Sequence, residues 1–106
     1  MIYGYARVKP AGVDDRDAQE SALFAAGCNY VVTEGRRTPP EFRPKLRQLL
    51  ARLESGSTLM IVSADCVAHD RSDLSKLVAR VARAGAKFLL IGGDEVTTMD
   101  GGGDSA

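Results

Sequence analysis

Several features that mark common classes of functional site are scarce in this sequence. It has one histidine and two cysteines, Cys28 and Cys66, and these lack the paired spacing of metal-ligand motifs. No apolar run approaches the roughly 20 residues that span a bilayer, and the N-terminal residues do not form a signal-peptide pattern. We therefore expect a cytoplasmic protein with free thiols, no membrane partner, no metal and no cofactor.

Net charge is also lacking. Fourteen basic and fourteen acidic side chains cancel, which removes the long-range positive field that nucleic-acid-binding proteins use to attract phosphates. Binding to DNA would therefore need a local basic patch, and we expect any such binding to be weak.

The composition that remains is typical of one small folded domain. The 106 residues are 44% hydrophobic and 26% charged, as in ordinary globular proteins. The glycine-rich end, from Gly101 to Ala106, offers little to pack. We expect one domain over residues 1–98 and a disordered tail over 99–106.

Apolar periodicity alternates between strand and helix along the whole chain. It predicts strands over residues 2–8, 30–33, 59–62 and 88–91. It predicts helices over residues 14–26, from Arg43 toward a stop at Gly56, and from an Asp70 cap to Gly85. This alternation with short connections favours an α/β fold, a mainly parallel sheet of four to five strands with helices on both faces.

The second predicted helix has the clearest pattern. Pro44 suits its first turn, and four leucines follow at i, i+3, i+4 and i+7 spacing. They are Leu46, Leu49, Leu50 and Leu53. The acidic cluster from Asp14 to Asp17 is interpreted as the charged start of the first helix rather than a metal site.

Basic residues follow the predicted strands at the carboxyl edge of the sheet, where ligands of such folds collect. They are Arg7, Lys9, Arg36 and Arg37, with Arg43 at the next helix start and residues 63–69 beside them. Arg7, Lys9 and Arg43 form a candidate pocket for phosphate, a nucleotide or an acidic peptide. The alternative is that they form structural ion pairs with Asp65, Glu34 or the Asp14–Asp17 cluster.

The segment Tyr5-Ala6-Arg7-Val8 resembles the opening motif of the serine recombinases, the resolvase and invertase family. Further points of similarity follow in order over about ninety residues: Gln19, Ala26-Gly27-Cys28, Arg43-Pro44, the four leucines, Asp65, Asp73-Leu74, Gly85 and Phe88. The resemblance implies the three-layer resolvase-like fold, which agrees with the predicted order of elements.

The chain differs from that family at the positions of the family's catalytic residues. The family's nucleophilic serine follows the Tyr-Ala-Arg-Val motif, but Lys9 stands there, beside Pro10, and the family's loop glutamine is missing. Cys66 and His69 occupy positions where the family has phosphate-neutralising arginines. A lysine cannot form the phosphoserine ester, and loss of the arginines removes charge that phosphoryl transfer needs. We therefore expect no enzymatic activity.

The six residues of this degenerate rim are Arg7, Lys9, Arg43, Asp65, Cys66 and His69. The resemblance implies that Arg7 and Arg43 bind phosphate in active relatives, while Asp65 orients its neighbours. A metal or thiolate pair of Cys66 with His69 is disfavoured, since no further ligand is near in sequence.

Three functions are compatible with this sequence. The leading hypothesis is an inactive module that binds another protein or a second copy of itself. The alternatives are a DNA-associated modulator of an active recombinase and an enzyme of different chemistry. Relatives dimerise through a long helix and read DNA with a helix-turn-helix domain. If Ala106 is the natural end, this chain carries neither.

Overall fold

The centre of the fold is a five-stranded sheet in the order β2-β1-β3-β4-β5. The computed structural model describes residues 1–7, 16–35, 43–63, 71–92 and 95–99. The strands are β1 (Ile2–Arg7), β2 (Tyr30–Glu34), β3 (Thr58–Ile61), β4 (Lys87–Gly92) and β5 (Glu95–Met99). The first four are parallel, and β5 pairs antiparallel to β4.

Within the described ranges, three helices cover the two faces of this sheet, as the alternating pattern predicted. They are α1 (Arg16–Ala25), α2 (Pro44–Arg52) and α3 (Arg71–Arg83). Gly27 after α1 and Gly85 after α3 have φ angles of 108° and 77°, a conformation that residues with a Cβ adopt only with strain. None of the described helices is long and apolar enough to cross a lipid bilayer.

The core divides into two layers because side chains alternate between the faces of each strand. The larger layer lies between the sheet and the two helices α2 and α3, and the smaller one lies under α1. The larger contains Tyr5, Leu46, Leu49, Leu53, Leu59, Ile61, Leu77, Val78, Val81 and Phe88. The smaller contains Ala6, Leu23, Cys28, Met60 and Ile91. The mainly parallel α/β architecture is confirmed.

Some predicted boundaries were wrong by a few residues. Glu34 lies one residue beyond the predicted strand over residues 30–33 but is the last residue of β2, where it pairs with Arg7 of β1. The second helix ends at Arg52, because Leu53 is already extended, so Gly56 does not stop it. Leu53 stays buried beyond the helix. β3 begins and ends one residue earlier than expected, and β5 was not predicted as a specific segment.

Other predictions fall where the structure gives no description. The Asp70 cap, the residues Asp14 and Asp15, and the tail after Met99 lie outside the described residues. Asp17 lies in the first turn of α1, as predicted.

Gly4 of β1 lies against Leu23 of α1 and the nearby Cys28. A Cβ added there would lie 2.9 Å from Cys28 Sγ and 3.2 Å from two atoms of Leu23. Gly4→Ala is therefore expected to lower the free energy of unfolding by about 1–3 kcal/mol through overpacking. Urea denaturation followed by circular dichroism measures this loss.

Gly35→Ala is the matched control, because among the residues that the structure describes no heavy atom outside its chain neighbours lies within 4 Å of a Cβ at that position. We expect it to change the stability by less than about 0.5 kcal/mol. Cys28→Ala should restore part of the stability lost in Gly4→Ala, since it removes the nearest atom. Equal losses in the two glycine variants would refute steric crowding at Gly4.

Candidate functional site

The end of β1 is held by a buried side-chain amide. Gln19 of α1 donates from Nε2 to the Arg7 carbonyl at 3.0 Å and accepts from the Arg7 backbone N–H at 3.3 Å. Both residues are buried. This reciprocal pair satisfies two main-chain groups at the strand end and anchors the backbone from which the Arg7 side chain extends.

Arg7 and Glu34 are neighbours at the carboxyl edge of the sheet. They are register partners on β1 and β2, so their side chains extend to the same face. That face is the one covered by α2 and α3, since Tyr5 and Val32, two residues earlier on each strand, both pack there. Arg7 is 6% exposed and Glu34 only 1%, so opposite charges share a site shielded from solvent.

The carboxylate of Glu34 also caps α2. Its Oε1 accepts from the backbone N–H of Lys45 at 2.8 Å and of Leu46 at 3.2 Å. The first N–H groups of a helix have no partner within the helix, and the helix dipole favours negative charge there. Arg43, at the N-cap position, makes no side-chain cap. The anion-binding end of α2 is therefore occupied by a carboxylate of the protein itself.

Arg43 is bound by an acidic residue of α3. Its Nη2 donates to Asp73 Oδ2 at 3.0 Å, and the Arg43 side chain is 14% exposed. A charge-assisted contact of this geometry is stronger than a neutral hydrogen bond. It joins the N-terminal turns of α2 and α3, although Asp73 was not among the partners expected for Arg43.

Comparison with known proteins agrees with this architecture. The family described as Resolvase, N terminal domain, matches residues 2–104. The chain belongs to the resolvase family of serine recombinases. It is 33% identical to the serine recombinase gin of Escherichia phage Mu over 91 residues, which cover 83% of this chain and 45% of that protein.

A second relative of this resolvase-family domain is the Tn552 DNA-invertase BinR of Staphylococcus aureus. Identity is 29% over 100 residues, covering 94% of this chain and 50% of the invertase. The chain thus spans about half the length of these relatives.

Two of the six predicted site residues of this resolvase-family domain are described. Arg7 ends β1 and Arg43 precedes α2, so both lie at the carboxyl edge of the sheet as predicted. Lys9, Asp65, Cys66 and His69 lie outside the described residues, as do Arg36 and Arg37. Sequence reasoning did not identify Glu34 as a cap or Asp73 as a partner of Arg43.

Cys28 lies away from this edge, packed under α1. Its Sγ is 3.7 Å from Met60 Sδ, and it is a free thiol. Burial raises the pKa of the Cys28 thiol to about 11, so the reactive thiolate is scarce at neutral pH. Cys28 is therefore a packing residue of this resolvase-family domain.

Glu34→Ala tests the cap on α2. Removing the acceptor of two helix N–H groups is expected to lower the free energy of unfolding by about 1–2 kcal/mol. The backbone amides of Lys45 and Leu46 should also exchange with deuterium faster, which mass spectrometry of peptides or NMR measures. Glu34→Gln keeps one acceptor oxygen and should lose less stability.

Glu54→Ala is the control for this experiment. Glu54 is exposed just beyond the other end of α2, so its loss should change stability by less than about 0.5 kcal/mol. Unchanged exchange at Lys45 and Leu46 in Glu34→Ala would contradict the capping role.

Proposed function

We propose that this chain is a catalytically inactive member of the serine recombinase family that acts by binding another protein. The observation that carries the proposal is Lys9, which stands where the family resemblance places the nucleophilic serine. An ammonium group has no hydroxyl oxygen with which to form a phosphoserine ester. A DNA strand would therefore have no group to which it could be joined.

The loss of positive charge around this position supports the same proposal. Cys66 and His69 stand at the two positions where the resemblance places arginines. Loss of one such arginine can slow phosphoryl transfer by on the order of 10³-fold. Arg43 is retained, but Asp73 already compensates its charge at 3.0 Å, and Glu34 occupies the amides at the start of α2.

A scaffold without this chemistry keeps surfaces for contact with other proteins. Within the described residues, β2 pairs only with β1 and so forms one edge of the sheet. An edge strand presents backbone donors and acceptors to a second chain. The partner is another protein or a second copy of this chain.

A second candidate function is association with DNA, through which the chain would modulate an active recombinase. It is favoured by the charge of two helices: α2 has three basic residues and no acidic one, and α3 has four basic residues and one acidic one. This local basic surface exists although the whole chain is neutral. A gel shift with duplex DNA over a series of salt concentrations tests it, because phosphate contacts weaken steeply as salt rises.

The absence of cleavage is tested with the purified chain and supercoiled plasmid carrying recombination sites of the phage and transposon relatives. We expect no nicked or linear product and no covalent protein–DNA species after denaturation with detergent. Lys9→Ser is expected to stay inactive, because Cys66 and His69 still replace the arginines. A detergent-stable protein–DNA product from the unmodified chain would refute the proposal.

Binding to a protein is tested by capture from the native cell. The tagged chain should retain a reproducible partner that is absent from beads without the chain, and sedimentation equilibrium should detect association if that partner is a second copy. Recovery of no partner together with a monomer at all concentrations would contradict the proposal.

A further inference from the structure

A groove of about 290 Å³ runs between α2 and α3 on the outer face of the larger helical layer. Both helices connect parallel strands on the same side of the sheet, so they run in the same direction. Their N-terminal turns meet at the ion pair of Arg43 with Asp73. Below this pair, three further basic residues line the groove: Arg47, Lys76 and Arg80.

The three basic residues differ from Arg43 because none of them has an ion-pair partner among the described residues. Arg43 is neutralised by Asp73, whereas Arg47, Lys76 and Arg80 form no ion pair with any residue that the structure describes. All three are exposed. Their placement one and two helical turns from the Arg43–Asp73 pair follows from i, i+3, i+4 and i+7 spacing. Uncompensated positive charge is therefore concentrated in one concave surface.

The groove also has an apolar component. Leu46, Leu50 and Leu77 line it together with the basic residues. Leu46 and Leu77 are buried, while Leu50 is half-buried and can still be covered by a ligand. The site thus combines charged walls with an apolar strip.

We propose that the groove between α2 and α3 binds an acidic amphipathic helix of a partner protein. Carboxylates three or four residues apart on such a helix match basic residues spaced by one turn, such as Lys76 and Arg80. An apolar side chain between those carboxylates covers Leu50, as in other complexes with a helix in a groove. The inference rests on the proposed protein-binding function and names the chemistry of its partner.

The shape of the groove favours this occupant over the phosphate backbone of DNA. A sugar–phosphate backbone brings negative charge but no aliphatic side chain to cover Leu50. A third helix fits between the ridges of two neighbouring helices. The neutral chain also lacks the long-range attraction that favours a polyanion over a short acidic segment.

The test uses two fluorescent peptides of about 18 residues, long enough to form helix in isolation. Both contain the same glutamates and leucines. In one these form acidic and apolar stripes, and in the other the order is scrambled. Fluorescence anisotropy with the full chain should give at least about tenfold tighter binding of the amphipathic peptide, since only it presents charge and apolar contact together. An 18-base-pair duplex is the third probe.

Two double variants locate the binding surface. Arg47→Gln with Arg80→Gln should weaken binding of the amphipathic peptide at least about fivefold, because it removes two charge pairs. Arg52→Gln with Arg83→Gln removes the same charge from the same helices outside the groove. This variant should change the affinity for the amphipathic peptide less than about twofold. Leu50→Ser, introduced into the otherwise unmodified chain, should also weaken binding of the amphipathic peptide, because it removes the apolar contact. Circular dichroism verifies that each variant is folded.

Equal binding of the two peptides, or equal losses in the two double variants, would overturn the inference. Tighter binding of the duplex through Arg47 and Arg80 would overturn it in favour of nucleic acid. These outcomes are separate from the cleavage assay: DNA cleavage refutes the inactive function itself, whereas failure of the peptide leaves that function standing with a different contact surface.

Discussion

The buried carboxylate of Glu34 connects the sheet to the helical layer that covers it. Its oxygen accepts two backbone N–H groups at the start of α2, and its strand position pairs with Arg7. A charge that is 1% exposed is costly unless it is hydrogen-bonded and has opposite charge nearby. These contacts set where α2 begins, and the start of α2 sets where Arg43 meets Asp73. The carboxyl edge of the sheet is thus organised by contacts among the protein's own charged groups.

The distribution of charge explains why a neutral chain has a basic face. The helices α2 and α3 contribute seven basic residues, three and four respectively, against the single carboxylate of Asp73. The balancing acidic residues lie in other segments of the sequence. A net charge of zero therefore excludes a long-range field but does not describe the local surface.

Local patterns predicted much of the fold. The leucine stripe and Pro44 were enough to place α2, because helix periodicity and the geometry of proline act over a few residues. The predicted strand over residues 30–33 stops one residue short of Glu34, and the burial of the Glu34 side chain depends on a helix start eleven residues later. Asp73 is thirty residues from Arg43, and spacing alone does not select it from fourteen acidic residues. Contacts of this range depend on topology, which the local pattern does not encode. Arg7 and Arg43 were predicted at the carboxyl edge from the order of strands and helices, and both lie there.

The antiparallel direction of β5 has a practical consequence for tethering this domain. β1 begins at Ile2 on the amino edge of the sheet, and β5 returns to that edge at Met99, opposite Phe88. The two ends of the described domain therefore leave from the side opposite Arg7 and Arg43. A strand of five residues rises about 3.3 Å per residue, so a fluorophore or an affinity handle attached at position 1 or position 99 starts a full sheet height away from the carboxyl edge. Immobilisation through either position leaves that edge oriented toward the solution.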